Sequence, residues 1–477
     1  MVLDKYLDSY SKKLLNNHNK AKEKEQRNLL TLEDYLKLLE PVVTTLKENK
    51  DASLDELRNV LHKKSNIENL LKDAIYNKKM APGAVITYGT EHYLETISLG
   101  KTNDIENGVA TSENTIYDLA SVTKLFTSIS VQILHERGLI DLDRKVTYYL
   151  PWLPNLKETT VYQLLTFNMP IKTCGRIDKA QNKEEALEVF KTMSVDLSND
   201  GKRPYTDLGA MVLKFVVEKV TGMSFYDFIK ENILEVSKMY NTYVSVPEDK
   251  NPFVAATGYD GFYYKDGNYR INNDVQLGDC YDAKARILGQ RDGDLSGHAG
   301  LFSTGKDMSN LAYSLMNYEL LSQYNLLHMA DNETGKEENG IQYLSKLCYS
   351  KNPSQPDSEV YHPLGGRTFA SAGWTGTQLT IDPDNKVFYS LLSNRSNNRM
   401  TFIDADKKKL VFTGKNGEKL ITLPSGKTMV DATRYAWDRD AALVHPVIKL
   451  AIQNKFLDDI FKDKGENLGN VYVKTHI

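Results

Sequence analysis

The chain has 477 residues, of which 41% are hydrophobic, and a formal net charge of −3. This length and composition allow a large buried core divided into two or three structural units. The small net charge, with no block of basic residues in the central region, argues against a nucleic-acid partner. The three cysteines are widely spaced and odd in number. They predict neither a disulfide framework nor a zinc site, and they indicate a reducing compartment.

Residues 1–66 are rich in charge and predict a helical extension. An apolar stripe leads up to Pro41 and consists of Leu29, Leu30, Leu32, Tyr35, Leu36, Leu38 and Leu39. Such a stripe favours packing on the chain's own core, and self-association through these helices is the alternative. Charged residues interrupt the N-terminal sequence, so neither a signal peptide nor a membrane span is predicted, and we expect a cytoplasmic protein.

A helix to Tyr76 and strands at 84–88 and 93–99 come next, and a long helix follows Thr115. The apolar residues of this helix recur at three- and four-residue intervals and are Val122, Leu125, Phe126, Ile129 and Ile133. Gly138 is a plausible C-terminal stop. Ser121 and Lys124 lie three residues apart at the start of this helix and share one face. The lysine amine is then about one turn from the serine hydroxyl, and the unpaired N–H groups of the first turn can face a developing oxyanion. This pattern is typical of an activated serine nucleophile.

Serine and lysine occur at this spacing three times in the chain. The other copies are Ser9 with Lys12, in a charge-dense amphipathic segment, and Ser303 with Lys306, where Thr304 and Asp307 predict a helix N-cap. Only the copy at Ser121 has an apolar lead-in and a long, buried helix behind it. Context therefore selects Ser121.

Ordered sequence segments over 67–395 resemble the class C beta-lactamase and penicillin-binding-protein-like serine hydrolases, a family that includes D-amino-acid peptidases and esterases. The segments are Pro82-Gly-Ala-Val-Ile86, Tyr117-Asp-Leu-Ala-Ser-Val-Thr-Lys124, Thr160-Val-Tyr-Gln-Leu-Leu-Thr166, Tyr205-Thr-Asp-Leu-Gly209, Val220-Thr-Gly-Met-Ser224, Gly297-His-Ala-Gly-Leu-Phe-Ser-Thr304 and Gly373-Trp-Thr-Gly-Thr377. The resemblance implies an α+β fold, in which an antiparallel sheet is flanked by helices and carries a helical subdomain. It is specific for fold and nucleophile, and not for substrate.

The resemblance also implies that Tyr205 helps to move the serine proton, in a motif that normally reads Tyr-x-Asn. A tyrosine with its ordinary pKa of about 10 is a poor base at neutral pH, so a nearby lysine charge is expected to favour the phenolate. Asp207 replaces the asparagine. An ionised aspartate only accepts hydrogen bonds, and its charge is expected to hold Lys124 protonated. Without the family, Asp207 is equally well interpreted as a helix N-cap.

A third motif, Lys-Thr-Gly or His-Thr-Gly in the family, aligns with Ser371-Ala-Gly373 here. A strand pair after it, joined at 382–385, supports the position. The resemblance implies that the backbone N–H groups of Ser121 and Trp374 form the oxyanion hole. The cation and hydroxyl that bind a substrate carboxylate are missing. Asp207, Ser371, Gly373 and Arg395 are the candidate substrate-binding residues, although a structural ion pair explains Arg395 equally well.

The remaining elements complete the domain prediction. We expect a helical extension at 1–66 and a hydrolase domain at 67–399, with sheet parts at 67–118 and 368–399 and a helical part at 119–367. Added hairpins and C-terminal helices at 400–477 are expected to pack on it. Within these regions, 254–278 is predicted as a loop, turns are predicted at 414–417 and 425–426, and a helix at 438–461 is interrupted at Pro446.

The sequence thus predicts a serine hydrolase that forms an acyl-enzyme on Ser121 and acts on an ester without a free carboxylate. The alternatives are a D-amino-acid peptidase, transpeptidase or beta-lactamase, and a binding or scaffold protein on the same fold. Scattered histidines without paired ligand spacing predict no metal site, and no cofactor is expected. The expected partner is a small-molecule or peptide-like acyl substrate.

Overall fold

The computed structural model describes the chain except for residues 1, 21–30, 104–107, 200–204, 265, 275–276, 334–342, 352–358, 398, 405, 407–408, 411–419, 423–427, 432–442, 469–471 and 477. The α-helices of the described residues are α1 (Val2–Lys20), α2 (Leu32–Glu48), α3 (Leu54–Ser65), α4 (Ile67–Lys72), α5 (Thr123–Glu136), α6 (Val146–Tyr149), α7 (Val161–Leu165), α8 (Lys183–Lys191), α9 (Leu208–Thr221), α10 (Phe225–Ile229), α11 (Ala283–Leu288), α12 (Gly305–Met316), α13 (Gln323–Leu327) and α14 (His445–Asp463). None of the helices in this part of the chain is long and apolar enough to cross a membrane.

The strands are β1 (Gly83–Gly89), β2 (Tyr93–Gly100), β3 (Tyr117–Asp118), β4 (Ile171–Lys172), β5 (Ser194–Val195), β6 (Tyr259–Tyr264), β7 (Tyr269–Asp274), β8 (Phe302–Ser303), β9 (Tyr349–Ser350), β10 (Phe369–Gly373), β11 (Thr377–Asp382), β12 (Val387–Ser393), β13 (Arg399–Asp404), β14 (Lys409–Leu410), β15 (Leu420–Thr422), β16 (Thr428–Asp431) and β17 (Tyr472–His476). The main sheet has the order β17-β2-β1-β12-β11-β10-β9. Its neighbours are antiparallel except for β17 and β2, which run parallel.

Helices cover both faces of the main sheet, so its central strands have no solvent-facing side. Along β1 the side chains alternate as a strand requires: Val85 joins the core on the side of α5, α9 and α12. Ala84, Ile86 and Tyr88 join a second core with α2, α3 and α14. The antiparallel sheet between helical layers confirms the predicted α+β fold.

The N-terminal helices and the C-terminal helix share this second core. The buried face of α2 is formed by Tyr35, Leu39, Val42 and Leu46. These residues follow three- and four-residue spacing, so the helix continues beyond Pro41 instead of stopping there. The leucines at 29 and 30 lie outside the described residues. The apolar face of α2 is therefore packed against the chain's own core.

Of three further predictions, two differ from the structure and one falls outside the described residues. The expected loop at 254–278 contains β6 and β7, an antiparallel pair whose turn includes Gly267 at φ +94°. The C-terminal helix α14 is not interrupted at Pro446. Pro446 lies in the first turn of His445–Asp463, where a proline has no intrahelical N–H bond to lose. Residues 438–442 of the predicted helix lie outside the described residues. The predicted turns at 414–417 and 425–426 lie outside the described residues.

Candidate active site

The chain makes a tight turn immediately before α5, and this turn carries Ser121. Strand β3 pairs with β8, and Ala120 then takes a positive φ of +45°, which is uncommon for a residue with a side chain. The Asp118 carboxylate accepts a hydrogen bond from the Ala120 N–H at 2.8 Å. A short 3-10 turn, Ala120–Val122, then leads into α5. The turn presents a half-buried Ser121 at the N-terminus of an almost entirely buried helix.

Lys124 is fully buried and its amine contacts Ser121. Its Nζ lies 2.9 Å from Ser121 Oγ, 2.7 Å from Asp207 Oδ1 and 3.4 Å from the His298 carbonyl oxygen. Burial lowers the pKa of Lys124, and the nearby Asp207 charge opposes this effect. The lysine predicted from the motif spacing therefore lies within hydrogen-bonding distance of the serine.

Tyr205 lies on the segment before α9, and its phenol hydrogen bonds to Ser121. The ring is stacked between Phe167, with centroids 5.2 Å apart, and Tyr349, with centroids 5.7 Å apart. Burial and the Asp207 charge raise the pKa of Tyr205, so the expectation of a phenolate was wrong. Lys124 Nζ lies over the ring face, 4.8 Å from its centroid, and its charge does not outweigh these two effects.

Asp207 is shared between two lysines and does not cap a helix with its side chain. Its Oδ1 faces Lys124, and its Oδ2 lies 3.2 Å from the amine of Lys284. Burial by itself raises the pKa of Asp207, but Lys124, His298 and Lys284 together hold it well below its usual range. The carboxylate is thus ionised. As expected, its charge acts to raise the pKa of Lys124, but the effect of burial on Lys124 is larger and the net pKa of Lys124 is lowered.

Residues around α11 extend this charge cluster. Lys284 Nζ lies 2.9 Å from Asp282 Oδ2, and Asp282 Oδ1 lies 3.1 Å from His298 Nε2. The Ser296 hydroxyl pairs with the other ring nitrogen of His298 at 2.9 Å. Asp207, Asp282 and His298 bring three donor atoms within 4.8 Å of one another. The Lys284 ammonium contacts both carboxylates, so a lysine already supplies the cation there and we assign no metal ion.

Strand β10 ends beside the nucleophile turn. A side chain on Gly373 would overlap the Leu119 carbonyl oxygen at 2.4 Å, so only glycine allows this approach. Two threonine hydroxyls fasten the β10–β11 turn to the same segment. Thr375 donates to the Asp118 carbonyl at 2.6 Å, and Thr377 donates to the Leu119 carbonyl at 2.9 Å. These contacts hold the backbone of Trp374 next to the turn that carries Ser121.

Two other candidate substrate-binding residues, Ser371 and Arg395, lie against neighbouring residues of the protein. Ser371 is buried on β10, opposite Leu379 of β11. The guanidinium of Arg395 lies 4.4 Å from the centre of the Trp374 ring, and its Nε donates to the Trp374 carbonyl. Arg395 is only 7% exposed. The structure therefore brings Arg395 to Trp374 at the edge of the site.

The two other Ser-x-x-Lys copies lack this environment. Ser9 and Lys12 are exposed on α1, where Lys12 pairs with Asp8 at 2.6 Å. Ser303 is buried and bonds to the Thr242 hydroxyl at 2.8 Å, whereas Lys306 is exposed. Neither serine has a buried lysine amine beside it.

Several residues of the site carried no recognisable sequence signal. Phe167, Tyr349, Asp282 and Lys284 were not predicted, because each is a common residue type brought to Ser121 only by the tertiary fold. His298-Ala-Gly300 resembles the His-Thr-Gly motif in sequence, but it comes before a helix cap and no strand pair is predicted after it, so it does not occupy the place of that motif. Its position within the aligned segment 297–304 was the one available hint.

Comparison with known proteins agrees with this fold. A curated relative from Escherichia coli (strain K12), named "Putative D-alanyl-D-alanine carboxypeptidase", is 26% identical over 317 residues, which cover 61% of this chain and 71% of the relative. The octameric penicillin-binding protein homologue from Pyrococcus abyssi has a TM-score of 0.53 at 20% identity, covering 69% of this chain and 73% of that one. A class C beta lactamase from Rhodobacter sphaeroides has a TM-score of 0.52 at 18% identity, covering 69% and 94%.

The fold and the contact between Ser121 and Lys124 define the class of protein as a serine hydrolase of the beta-lactamase and transpeptidase-like fold. At such low identities the solved structures establish the fold alone. The family model described as Beta-lactamase matches residues 72–411, and the chain belongs to that family.

Proposed function

We propose that this enzyme hydrolyses neutral esters through an acyl-enzyme on Ser121. The single observation that carries the proposal is the contact of the buried Lys124 amine with Ser121 Oγ at 2.9 Å. Ser121 Oγ attacks the carbonyl carbon, the bond to the leaving alcohol breaks, and water later releases the acid. Lys124 acts as the base, since burial lowers its pKa toward neutrality.

Tyr205 relays the proton as a neutral phenol. Its raised pKa means that it keeps its proton at neutral pH, so it can donate to one oxygen while it accepts from another. In acylation the serine proton passes to Lys124, the phenol hands its own proton to the leaving alcohol, and Lys124 returns a proton to the phenol. The stacked rings of Phe167 and Tyr349 fix the orientation of Tyr205 for this transfer.

The backbone N–H groups of Ser121 and Trp374 are the proposed oxyanion hole. Support comes from the close approach at Gly373 and from the threonine contacts that fasten the β10–β11 turn beside Leu119. This role needs only backbone, so the departure from Lys-Thr-Gly leaves it intact. Preorganised donors of this kind are worth about 10²- to 10³-fold in rate.

The preference for a neutral substrate follows from the residues at 371 and 372. A substrate carboxylate that leaves water must find a cation and hydrogen bonds, and neither Ser371 nor Ala372 supplies a cation. Arg395 lies close by, but its guanidinium stacks on Trp374 and its Nε donates to the carbonyl of that residue.

A D-alanyl-peptide carboxypeptidase is the second candidate. The name of the relative from Escherichia coli favours it, and that protein shares 26% identity over 317 residues. Such a substrate carries a carboxylate. Under this alternative Arg395 would have to turn away from Trp374 and hold that group.

The nucleophile is tested by labelling with an alkyl fluorophosphonate, followed by peptide mapping by mass spectrometry. The wild-type protein should be labelled on Ser121, and Ser121→Ala should lose both labelling and ester turnover. Ser303→Ala is the matched control and should keep both. Label on Ser303, or no label on the wild type, would reject the proposal.

Substrate preference is tested by comparing kcat/KM for a neutral ester and for a chromogenic cephalosporin. The wild type should prefer the ester. The double variant Ser371→Lys with Ala372→Thr adds a cation and a hydroxyl, and should raise cephalosporin acylation by about 10- to 100-fold, the worth of a charge-assisted hydrogen bond. A wild type that already prefers the cephalosporin would favour the carboxypeptidase and assign the carboxylate to Arg395.

Self-association through the N-terminal helices is a separate proposal. The Pyrococcus abyssi homologue is described as octameric, which favours an oligomer. The inner face of α2 is already buried in this chain, so only outward residues such as Leu36, 38% exposed, are available for a second copy. Light scattering of the wild type and of Leu36→Glu at several concentrations tests this. If both proteins have the mass of a monomer at every concentration, self-association is rejected.

A further inference from the structure

The carboxylate of Asp207 lies between two ammonium groups, and only one of them contacts the nucleophile. Lys124 Nζ is 2.7 Å from one oxygen and Lys284 Nζ is 3.2 Å from the other. Lys284 comes from α11, whereas Lys124 comes from α5 and Asp207 precedes α9. Three separate segments therefore build one alternating row of charges beside Ser121.

An aspartate at this position creates a chemical problem for a serine hydrolase. A lysine can accept the serine proton only in its neutral form, and a carboxylate at 2.7 Å favours the charged form. If Asp207 faced Lys124 alone, its full charge would stabilise the ammonium. A second cation on the other carboxylate oxygen reduces that effect, because like charges near each other disfavour the charged form of both.

The charged and titratable groups around this row are few in the part of the chain that the structure describes. Asp282 pairs with Lys284 at 2.9 Å and with His298 at 3.1 Å. Asp118 lies farther back, and burial raises its pKa to about 6. His298 also acts to lower the pKa of Asp207, and Lys284 acts to lower the pKa of Asp178. Cys348 and Glu359 act on Tyr205, which lies beside the row. Of the lysines, Lys284 is the one that contacts both Asp207 and Asp282.

We propose that Lys284 is a positioning residue that neutralises Asp207 and thereby leaves Lys124 free to act as the base for Ser121. The inference rests on the proposed function, since it assigns the proton of Ser121 to Lys124. Lys284 touches no reacting atom. It acts through Asp207, and the pair Asp207–Lys284 replaces the neutral asparagine of the Tyr-x-Asn motif with two opposite charges.

The test is the pH dependence of Ser121 labelling by an alkyl fluorophosphonate and of kcat/KM for a neutral ester, from pH 5.5 to 10. Removing the cation in Lys284→Met should move the acid limb of both profiles to higher pH by about one unit, the lower end of the effect of a neighbouring charge. On that limb the rate should fall about tenfold. Removing the anion in Asp207→Asn should move the limb to lower pH.

The double variant Asp207→Asn with Lys284→Met restores a neutral pair, so its acid limb should return to the wild-type position. Lys284→Arg keeps the charge and should leave the limb in place. Lys183→Met is the matched control, because Lys183 pairs with Asp292 at 2.5 Å and contacts no member of the row. Circular dichroism of every variant checks folding, and the double variant provides the readout if Lys284→Met alone is unstable.

The outcomes separate this inference from the proposed function. A labelled wild type with opposite shifts in the two single variants, and recovery in the double variant, supports the inference. A labelled wild type whose profile is unmoved by Lys284→Met, or a double variant that stays shifted, overturns the inference and leaves the proposed function standing. A wild type that is not labelled on Ser121 overturns both.

Discussion

The two sides of the main sheet each bury a cluster of charged side chains, and the clusters differ in access to solvent. On one side, the catalytic cluster of Lys124, Asp207, Lys284, Asp282 and His298 borders the half-buried Ser121, and the Asp207 side chain is 29% exposed. On the other side, the rear cluster joins helices α3 and α14 to β2. Its members are Arg58, His62, Glu95 and Asp458.

The rear cluster is closed to solvent around Arg58, Asp458 and Glu95. Arg58 and Asp458 are 2.5 Å apart, with side chains 4% and 1% exposed. Glu95 is 1% exposed and accepts from the hydroxyls of Tyr88 and Tyr93. Similar residue types thus serve two purposes. Under the proposed function, charge sets the reactivity of Ser121 in the cluster that borders it. In the rear cluster, which aromatic rings cover, charge ties the two ends of the chain to the sheet.

The largest expected effect comes from removing the amine of the catalytic cluster. Lys124→Met should keep the fold, since methionine fills a similar volume, and should slow acylation of Ser121 by about 10²- to 10⁴-fold, the range for loss of a general base. The rate of fluorophosphonate labelling measures this directly.

Lys12→Met and Lys306→Met are the matched controls, because each belongs to another Ser-x-x-Lys copy and is exposed. Both should label at the wild-type rate. If Lys124→Met labels as fast as the wild type, Lys124 is not the base for Ser121, and nothing functional would distinguish its Ser-x-x-Lys copy from the other two.

The sequence predicted those residues of the site that belong to short contiguous sequence motifs. Ser121 and Lys124 lie on one helix turn, so local spacing was sufficient for them, whereas the role of Tyr205 was implied by the family resemblance of the segment 205–209. Lys284 and Asp282 were out of reach, because a single lysine and a single aspartate on a short helix carry no periodic signal. Their contact with Asp207 depends on how α11 packs, which only the tertiary structure supplies.

The rear cluster could not be predicted for a related reason. Arg58 and Asp458 are 400 residues apart in the chain, and β17 joins the sheet beside β2 across a similar separation. The sequence did predict strands at 84–88 and 93–99, and the structure has β1 and β2 there. Pairing partners at the opposite ends of the chain leave no mark on local patterns, and so the shared core of α2, α3 and α14 was not anticipated.

Breaking the rear cluster should affect stability and leave chemistry intact. Arg58→Met leaves the Asp458 carboxylate buried without its cation, and the free energy of unfolding should fall by about 3–5 kcal/mol. Urea unfolding followed by circular dichroism measures the change. Ser121 in the folded fraction should label at the wild-type rate, because the cluster lies behind the sheet.

The exposed pair of Lys12 and Asp8 offers the control for this prediction. Its side chains are 60% and 48% exposed, so Lys12→Met should change the free energy of unfolding by less than about 1 kcal/mol. An equally small effect of Arg58→Met would mean that water reaches Asp458, and the contrast between closed and open clusters would fail.

The smallest expected effect is a pH dependence of stability set by His62. Its Nδ1 lies 2.5 Å from Glu95 Oε1, and its Nε2 lies 3.3 Å from Glu68 Oε1. The hydrogen bond to Glu95 raises the pKa of His62, although burial and Lys474 oppose this. A group whose pKa is raised on folding stabilises the folded state fully below its unfolded value, here about 6.5, and loses that contribution as the pH rises through the folded value.

The difference in unfolding free energy between the wild type and His62→Gln should therefore be larger at pH 6 than at pH 9. Using the difference cancels the titration of all other groups that the two proteins share. Urea unfolding at both pH values measures it, and His92→Gln serves as the control for removing a histidine at the surface. The catalytic cluster should show the opposite dependence on pH, because Lys124 must lose its proton to act, so turnover rises while the His62 contribution falls. A difference that grows from pH 6 to pH 9 would mean that His62 is neutral beside Glu95, and the rear cluster would then be held by hydrogen bonds and by Arg58 with Asp458, without a charged histidine.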